Sequence, residues 1–224
     1  DKAIEVANRA RDRCQKSDVR IAGYLPPLYG SYKPEHAPPL EECIERYQLI
    51  SEKQAPYVDL FICETMSSIK EAKASVTAAT LQNLETWCSF TILDQNKSAL
   101  RSNEPLEQAL TQLKEFDHSA NLINCSAPES ITVALDCLKK DKRPFGAYAN
   151  GFTSIDALEV GGTVEVLTSR KDLGPKAYLT HAINWLDLGA SIVGGCCEIS
   201  PAHIKIISEE VESLGYEIVN SIHI

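Results

Sequence analysis

The stretch ASIVGGCCEISP, residues 190–201, sets two cysteines side by side directly after two glycines, at the end of a short apolar run. Neighbouring residues of a regular strand face opposite ways, so Cys196 and Cys197 can address one point only where the strand stops or bends. Glycine permits either. Ser200 followed by Pro201 reads as a helix cap with proline at the first helical position. The segment is therefore a strand, a turn carrying two thiols, and the start of a helix.

The same unit recurs upstream. VRIAGYL (19–25), VDLFICE (58–64), ETWCSFTIL (85–93), ANLINC (120–125) and PFGAYAN (144–150) precede SIVGGCC (191–197) as short β-rich runs, each followed by a helical pattern. The helical faces carry Leu40, Cys43, Ile44, Tyr47; Ile69, Ala72, Val76, Ala79; Leu106, Ala109, Leu110, Leu113, Phe116; Ile131, Ala134, Leu135, Leu138; and Ile204, Ile207, Val211, Leu214. That is the 3.6-residue period. Ser68 with Glu71 reads as a capping box, and Gly174–Pro175 as a loop ending where a helix begins. Strands alternating with helices imply a parallel sheet. The pattern opens on a helix, with Ala3, Ala7, Ala10 and Cys14 on one face, and so looks cut. Two architectures fit: a doubly wound open sheet, or a (β/α)8 TIM barrel lacking its first two strands and first helix. In either case residues 1–224 read as one domain. The irregular stretches 26–39 and 161–175 follow strands and are expected to form walls or lids.

With 44% hydrophobic and 24% charged residues over 224 positions, the chain can bury a sizeable core. Its net charge of −9, with both signs interspersed, gives no footprint for nucleic acid or an anionic membrane. No apolar run approaches bilayer length, and the charged N-terminus does not read as a secretory signal, so a cytoplasmic location is expected. Of the eight cysteines, Cys14, Cys43, Cys63, Cys88 and Cys137 fall within helical or strand patterns and read as small buried hydrophobes. Cys125, Cys196 and Cys197 instead close strand runs, at the end where parallel βα folds build their sites. A vicinal pair alone would read as packing. Three thiolates at strand ends suit Zn²⁺ and leave one tetrahedral position open, the arrangement of a catalytic metal. The five histidines, His36, His118, His181, His203 and His223, read as surface or helix residues, and no phosphate-binding glycine loop is present.

GGCCEISPAHI resembles the GGCC signature of the homocysteine S-methyltransferase family. INC at 123–125, CET at 63–65 with EAKA at 71–74, IAGYLPPLYGSY at 21–32 and YANGF at 148–152 follow that family's order and spacing. The resemblance implies a (β/α)8 barrel that binds zinc through Cys125, Cys196 and Cys197. It implies transfer of a methyl group from a sulfonium donor, S-methylmethionine or S-adenosylmethionine, to homocysteine, giving methionine. Glu64 is then the receiver of the substrate ammonium, with Asn124, Tyr148 and Asn150 as further substrate contacts and Tyr24 and Tyr29 as aromatic faces for the onium donor. The family's opening Asp-Gly-Gly strand has no counterpart here, so the numbering is expected to begin late in a longer chain or to belong to a truncated form. EISP stands where a Gly-Thr-Thr-Pro-like run is more usual, and YANGF replaces a Tyr-Pro-Asn. Competing readings are a catalytically inactive zinc- or homocysteine-binding barrel and a doubly wound protein with redox cysteines. Oligomeric state is not legible.

Overall fold

The computed structural model describes residues 2–13, 19–220 and 222. Six strands, β1 (Ala22–Leu25), β2 (Leu60–Met66), β3 (Glu85–Phe90), β4 (Ala120–Asn124), β5 (Phe145–Tyr148) and β6 (Ile192–Val193), are all parallel, in the order β1-β2-β3-β4-β5-β6. That order decides between the two architectures. A doubly wound sheet reverses its strand order at a switch point, whereas here the chain advances one strand at a time in one direction. Right-handed crossovers then lay every connecting helix on the same face, which is the winding of a barrel. The fold is a six-strand arc of a TIM barrel.

Helices α1 (Lys2–Arg13), α2 (Leu40–Gln54), α3 (Ile69–Thr80), α4 (Leu106–Leu113), α5 (Pro128–Leu138), α6 (Pro175–Asp187) and α7 (Pro201–Ser213) supply the outer layer. From α2 onward each packs on the next. None of the described helices is long and apolar enough to cross a membrane. The central strands are covered on both faces and read as continuous apolar runs, whereas the edge strand β1 alternates exposed and buried residues. All five residues of β4 are buried. Against β2 and β3, α3 buries Ile69, Ala72, Val76 and Ala79, the face its period indicated.

Local signals hold at the helix starts. The Ser68 hydroxyl accepts the Glu71 N–H (3.2 Å) and donates to the Glu71 carboxylate (2.8 Å). Ser200 opens α7, and its N–H donates to Nδ1 of His203 (3.1 Å), so a histidine fills the reciprocal position usually held by Glu or Gln. Gly174 caps α6 with Pro175 at its first position.

Several expectations need correction. On α1 the half-buried side is Ile4, Ala7, Asn8 and Arg11, while Ala3 and Ala10 are exposed; Cys14 lies outside the described residues. On α7 the inward residues are His203, Ile207 and Val211, with Ile204 and Leu214 exposed. Cys43, Cys63 and Cys88 are buried as expected, but Cys137 is half-buried. β2 does not end at Glu64: it runs on to Met66, with its register to β3 broken between Cys63 and Met66. β6 is only two residues long, and the glycines and cysteines lie beyond it.

Candidate metal and substrate site

β6 stops at Val193, but the chain stays tied to the end of β5. Gly194 N–H donates to the Ala147 carbonyl (3.1 Å), Cys196 N–H to Ala149 (2.9 Å), and Gly151 N–H returns a bond to Cys197 (2.9 Å). The turn closes at Glu198, whose φ of 65° is left-handed. Tyr178, reaching in from α6, pins the two strand ends together: its hydroxyl accepts the Ala149 N–H (2.9 Å) and donates to the Gly194 carbonyl (2.7 Å). Because this segment is a pinned turn and not a strand, consecutive side chains need not diverge. The Cys196 and Cys197 sulfurs stand 3.8 Å apart.

Cys125 follows the last residue of β4 and also adopts a left-handed backbone, with φ 48°. Its sulfur lies 3.9 Å from that of Cys197, and all three sulfurs lie within 4.8 Å of one another. A disulfide would require about 2.05 Å, so these are free thiols in contact. Two sulfurs bound to one tetrahedral ion at ~2.3 Å stand roughly 3.8 Å apart, so the spacing suits a shared metal ion. The electrostatics agree. Hydrogen bonds from Cys125 and Cys196 hold the Cys197 thiol far below the ordinary range. The same contacts, with burial, push Cys196 far above it. For Cys125 the bond with Cys196 lowers the value, but donation to Cys197 and burial outweigh this and raise it. Without a cation the cluster holds one negative charge readily and resists a second.

Asn124 locks this corner. Wholly buried, its Oδ1 accepts the Thr65 N–H (3.0 Å) and the Ser89 hydroxyl (2.8 Å), while Nδ2 donates to Thr65 Oγ1 (2.8 Å) and lies 4.0 Å from the Cys196 sulfur. The amide's capacity is thus spent within the protein. Thr65 needs that support, because a β-branched residue at φ 62° is strained. Glu64, half-buried on β2, has its pKa raised by burial, the nearby Tyr148 hydroxyl lowering it and the charge of Cys197 raising it further. The Tyr148 hydroxyl is sealed from solvent and closes no well-formed hydrogen bond, although Glu64 and Ser89 are its polar neighbours. Asn150 is buried at the end of β5, its side chain accepting the Phe152 N–H (3.2 Å). Tyr24 faces Glu64 and the three cysteines; partial burial and then their charges raise its pKa. Tyr29 instead stacks under Arg46 at 5.4 Å.

The histidines contribute no ligand to the cluster among the described residues. His118 is not a surface or helix residue, as expected above, but lies buried just before β4, with Nε2 2.9 Å from Asn121 Oδ1. His36 lies in a short 3₁₀ segment (Pro34–His36), His181 on α6 and His203 buried on α7; His223 lies outside the described residues. The sequence reading missed two tyrosines. Tyr178 was recoverable, since Tyr178, Ala182 and Trp185 make an inward face at helical spacing. Tyr32 carried no local signal; it lies in the irregular 26–39 stretch and meets the Arg101 guanidinium, 5.4 Å from its ring centre, only through the fold.

A parallel βα barrel arc bearing three converging thiols at the C-terminal ends of its strands defines a class: a TIM-barrel protein with a cysteine cluster whose spacing could hold a metal ion. Residues 1–211 match the family model described as homocysteine S-methyltransferase, and the chain belongs to that family. It is 28% identical over 158 residues to homocysteine S-methyltransferase 1 of Arabidopsis thaliana, covering 69% of this chain but only 46% of that protein. It is 27% identical over 223 residues to the homocysteine S-methyltransferase of Escherichia coli strain K12, covering 92% of this chain and 69% of that one. The fold superposes on the apo crystal structure of the homocysteine methyltransferase MmuM from Escherichia coli with a TM-score of 0.72 at 24% identity, over 93% of this chain and 71% of that one. A metallated form of MmuM matches equally well.

Proposed function

We propose that the chain carries the site of a zinc-dependent homocysteine S-methyltransferase, which moves a methyl group from a sulfonium donor, S-methylmethionine or S-adenosylmethionine, to homocysteine. The observation that carries this reading is the convergence of three sulfurs, Cys197 lying 3.8 Å from Cys196 and 3.9 Å from Cys125 with all three within 4.8 Å of one another. Three thiolate donors fit zinc and leave a fourth tetrahedral position for a substrate sulfur. When bound, the ion would stabilise that sulfur as the nucleophilic thiolate at neutral pH, where a free thiol near pKa 8.5 is mostly protonated. Methyl transfer then forms one S–CH₃ bond as the donor's C–S bond breaks, and the sulfonium leaves as a neutral thioether. The thiol's proton passes to solvent as the sulfur becomes a thiolate, and no electron is left over.

The protein's own groups divide the remaining work. Glu64 is the receiver of the substrate ammonium, since a half-buried carboxylate with a raised pKa gains most from a cationic partner. The unsatisfied Tyr148 hydroxyl beside it supplies a second polar contact. Asn150 lines the same end of the barrel. Asn124 acts by holding Thr65, Ser89 and Cys196 in register. Holding sulfur and methyl in line at about 3–3.5 Å would supply much of the acceleration. A cytoplasmic setting fits, because a reducing compartment keeps three touching thiols from oxidising.

The test is metal analysis joined to a donor panel. Purified protein is expected to carry one zinc, lost in Cys125→Ser and in Cys196→Ser, and to form methionine from homocysteine with sulfonium donors but not with an ammonium donor. Metal-free protein of unchanged fold would overturn the zinc reading. Stoichiometric zinc without turnover of any donor would favour the inactive binding barrel.

A further inference from the structure

The side chains of β2 alternate as far as Cys63. Phe61 and Cys63 lie in the core that the sheet shares with its helices, so Glu64 falls on the inner face of the arc. Continued alternation would turn residue 65 outward and residue 66 inward. Met66 is instead on the helix side, wholly buried, with the Ser75 hydroxyl of α3 3.1 Å from its sulfur. One residue is therefore extra, and it is Thr65, left-handed at φ 62° within the break of register between Cys63 and Met66. Such a bulge re-aims the side chains beside it. Here it sets Glu64 and Thr65, consecutive residues, on the same inner face.

The end of β4 repeats the device. Ile123 lies in the helix-side core, so Asn124 points inward, and the left-handed φ of 48° brings the next residue, Cys125, to the same side, its sulfur 3.9 Å from that of Cys197. One amide joins the two breaks: Asn124 accepts the Thr65 N–H (3.0 Å) and donates to Thr65 Oγ1 (2.8 Å), with neither residue more than 5% exposed. The far side is held as well, Thr91 N–H donating to the Met66 carbonyl (3.1 Å) and Ser102 N–H to that of Ser67 (3.0 Å). Glycine would adopt this backbone freely, whereas a β-branched residue is strained there, and the two bonds to Asn124 offset that strain.

Resting on the reading of Glu64 as receiver of the substrate ammonium, we infer that Thr65 is a positioning residue for homocysteine: its left-handed bulge, locked to Asn124, fixes the Glu64 carboxylate relative to Cys125. Homocysteine must reach the same two places with its ammonium and its thiol. A rigid spacing between them selects an amino thiol of matching length.

The zinc-loaded protein tests this by calorimetric binding of homocysteine and of γ-mercaptobutyrate, the same thiol acid without the amino group. Wild-type protein is expected to prefer homocysteine. Thr65→Val keeps the branched shape but loses the hydroxyl, and should weaken homocysteine binding by roughly 10–100-fold, the worth of a contact to a charged group. Binding of γ-mercaptobutyrate and zinc content should stay within twofold, and KM should rise more than kcat falls. Thr65→Ser, which keeps the hydroxyl, should restore most of the preference. Thr65→Gly, free of backbone strain, should lose it too, which keeps the test decisive if the valine variant misfolds. An undiminished preference in the valine and glycine variants, or equal weakening of both thiols, would overturn the inference. Wild-type protein that binds both thiols alike would overturn the Glu64 reading, and this inference with it.

Discussion

Gly195 admits no side chain. A Cβ built there would run into Cγ2 and Cβ of Ile199, a β-branched residue that cannot swing its clashing atoms aside. The glycine before the cysteine pair is therefore required for space: it lets the turn fold back over Ile199 so that Cys196 and Cys197 converge. Gly195→Ala is expected to displace the turn, lowering metal affinity at least tenfold. The stability cost, typical of overpacking, should be about 1–3 kcal/mol. Chelator competition alongside thermal unfolding would separate the two effects, and unchanged metal affinity would refute the steric argument. Asn124 is the complementary case, a polar side chain tolerated without exposure only because its donors and acceptors are all engaged.

At the scale of elements, the connections decide where the chemistry sits. Thiols and Tyr148 occupy the C-terminal ends of the strands, while the opposite end is held by polar staples. One is Arg143, which binds the carbonyls of His118 (2.9 Å), Lys114 (3.1 Å) and Phe116 (3.1 Å) and so ties the segment entering β4 to the one entering β5. His118 sits inside this staple. Its pKa is lowered, chiefly by burial, with the Asn121 bond opposing and the Arg143 charge adding to the shift; Asp141 opposes it weakly. The sign follows: the unfolded chain takes up the proton at higher pH than the folded one, so stability is full above about pH 6.5 and falls as pH drops through the ordinary histidine range. Melting temperatures from pH 7.5 to 5 should show this decline. His118→Gln, which keeps a polar partner for Asn121, should flatten it, and equal slopes in both proteins would contradict the assignment.

Across the whole molecule, protection should follow the sheet. β3 and β4 have a strand on each side and helices over them, whereas β6 is two residues long and β1 pairs with one strand. At β1 the Gln54 side chain substitutes for a neighbouring strand, accepting the Tyr24 N–H (2.8 Å) and donating to its carbonyl (3.0 Å). Hydrogen exchange is expected to be slowest in β3 and β4 and fastest in β6 and the loop bearing the exposed Val160, Val164 and Val166. Uniform protection across the six strands would contradict this gradient.

The sequence by itself determined the six βα units, the buried faces of α2 to α5, the caps, and the three cysteines at strand ends. These are local signals: the period of burial, the proline that opens a helix, the glycine that permits a bend. It left the two windings undecided, because composition and period are the same in both, and only the strand order separated them. It misjudged the ends of β2 and β6, where a strained Thr65 and a pinned turn override strand propensity. It had no means of finding Tyr32. Contacts such as that of Arg101 with Tyr32 and that of Cys125 with Cys197 join residues far apart in the chain, and only the closing of the sheet brings them together.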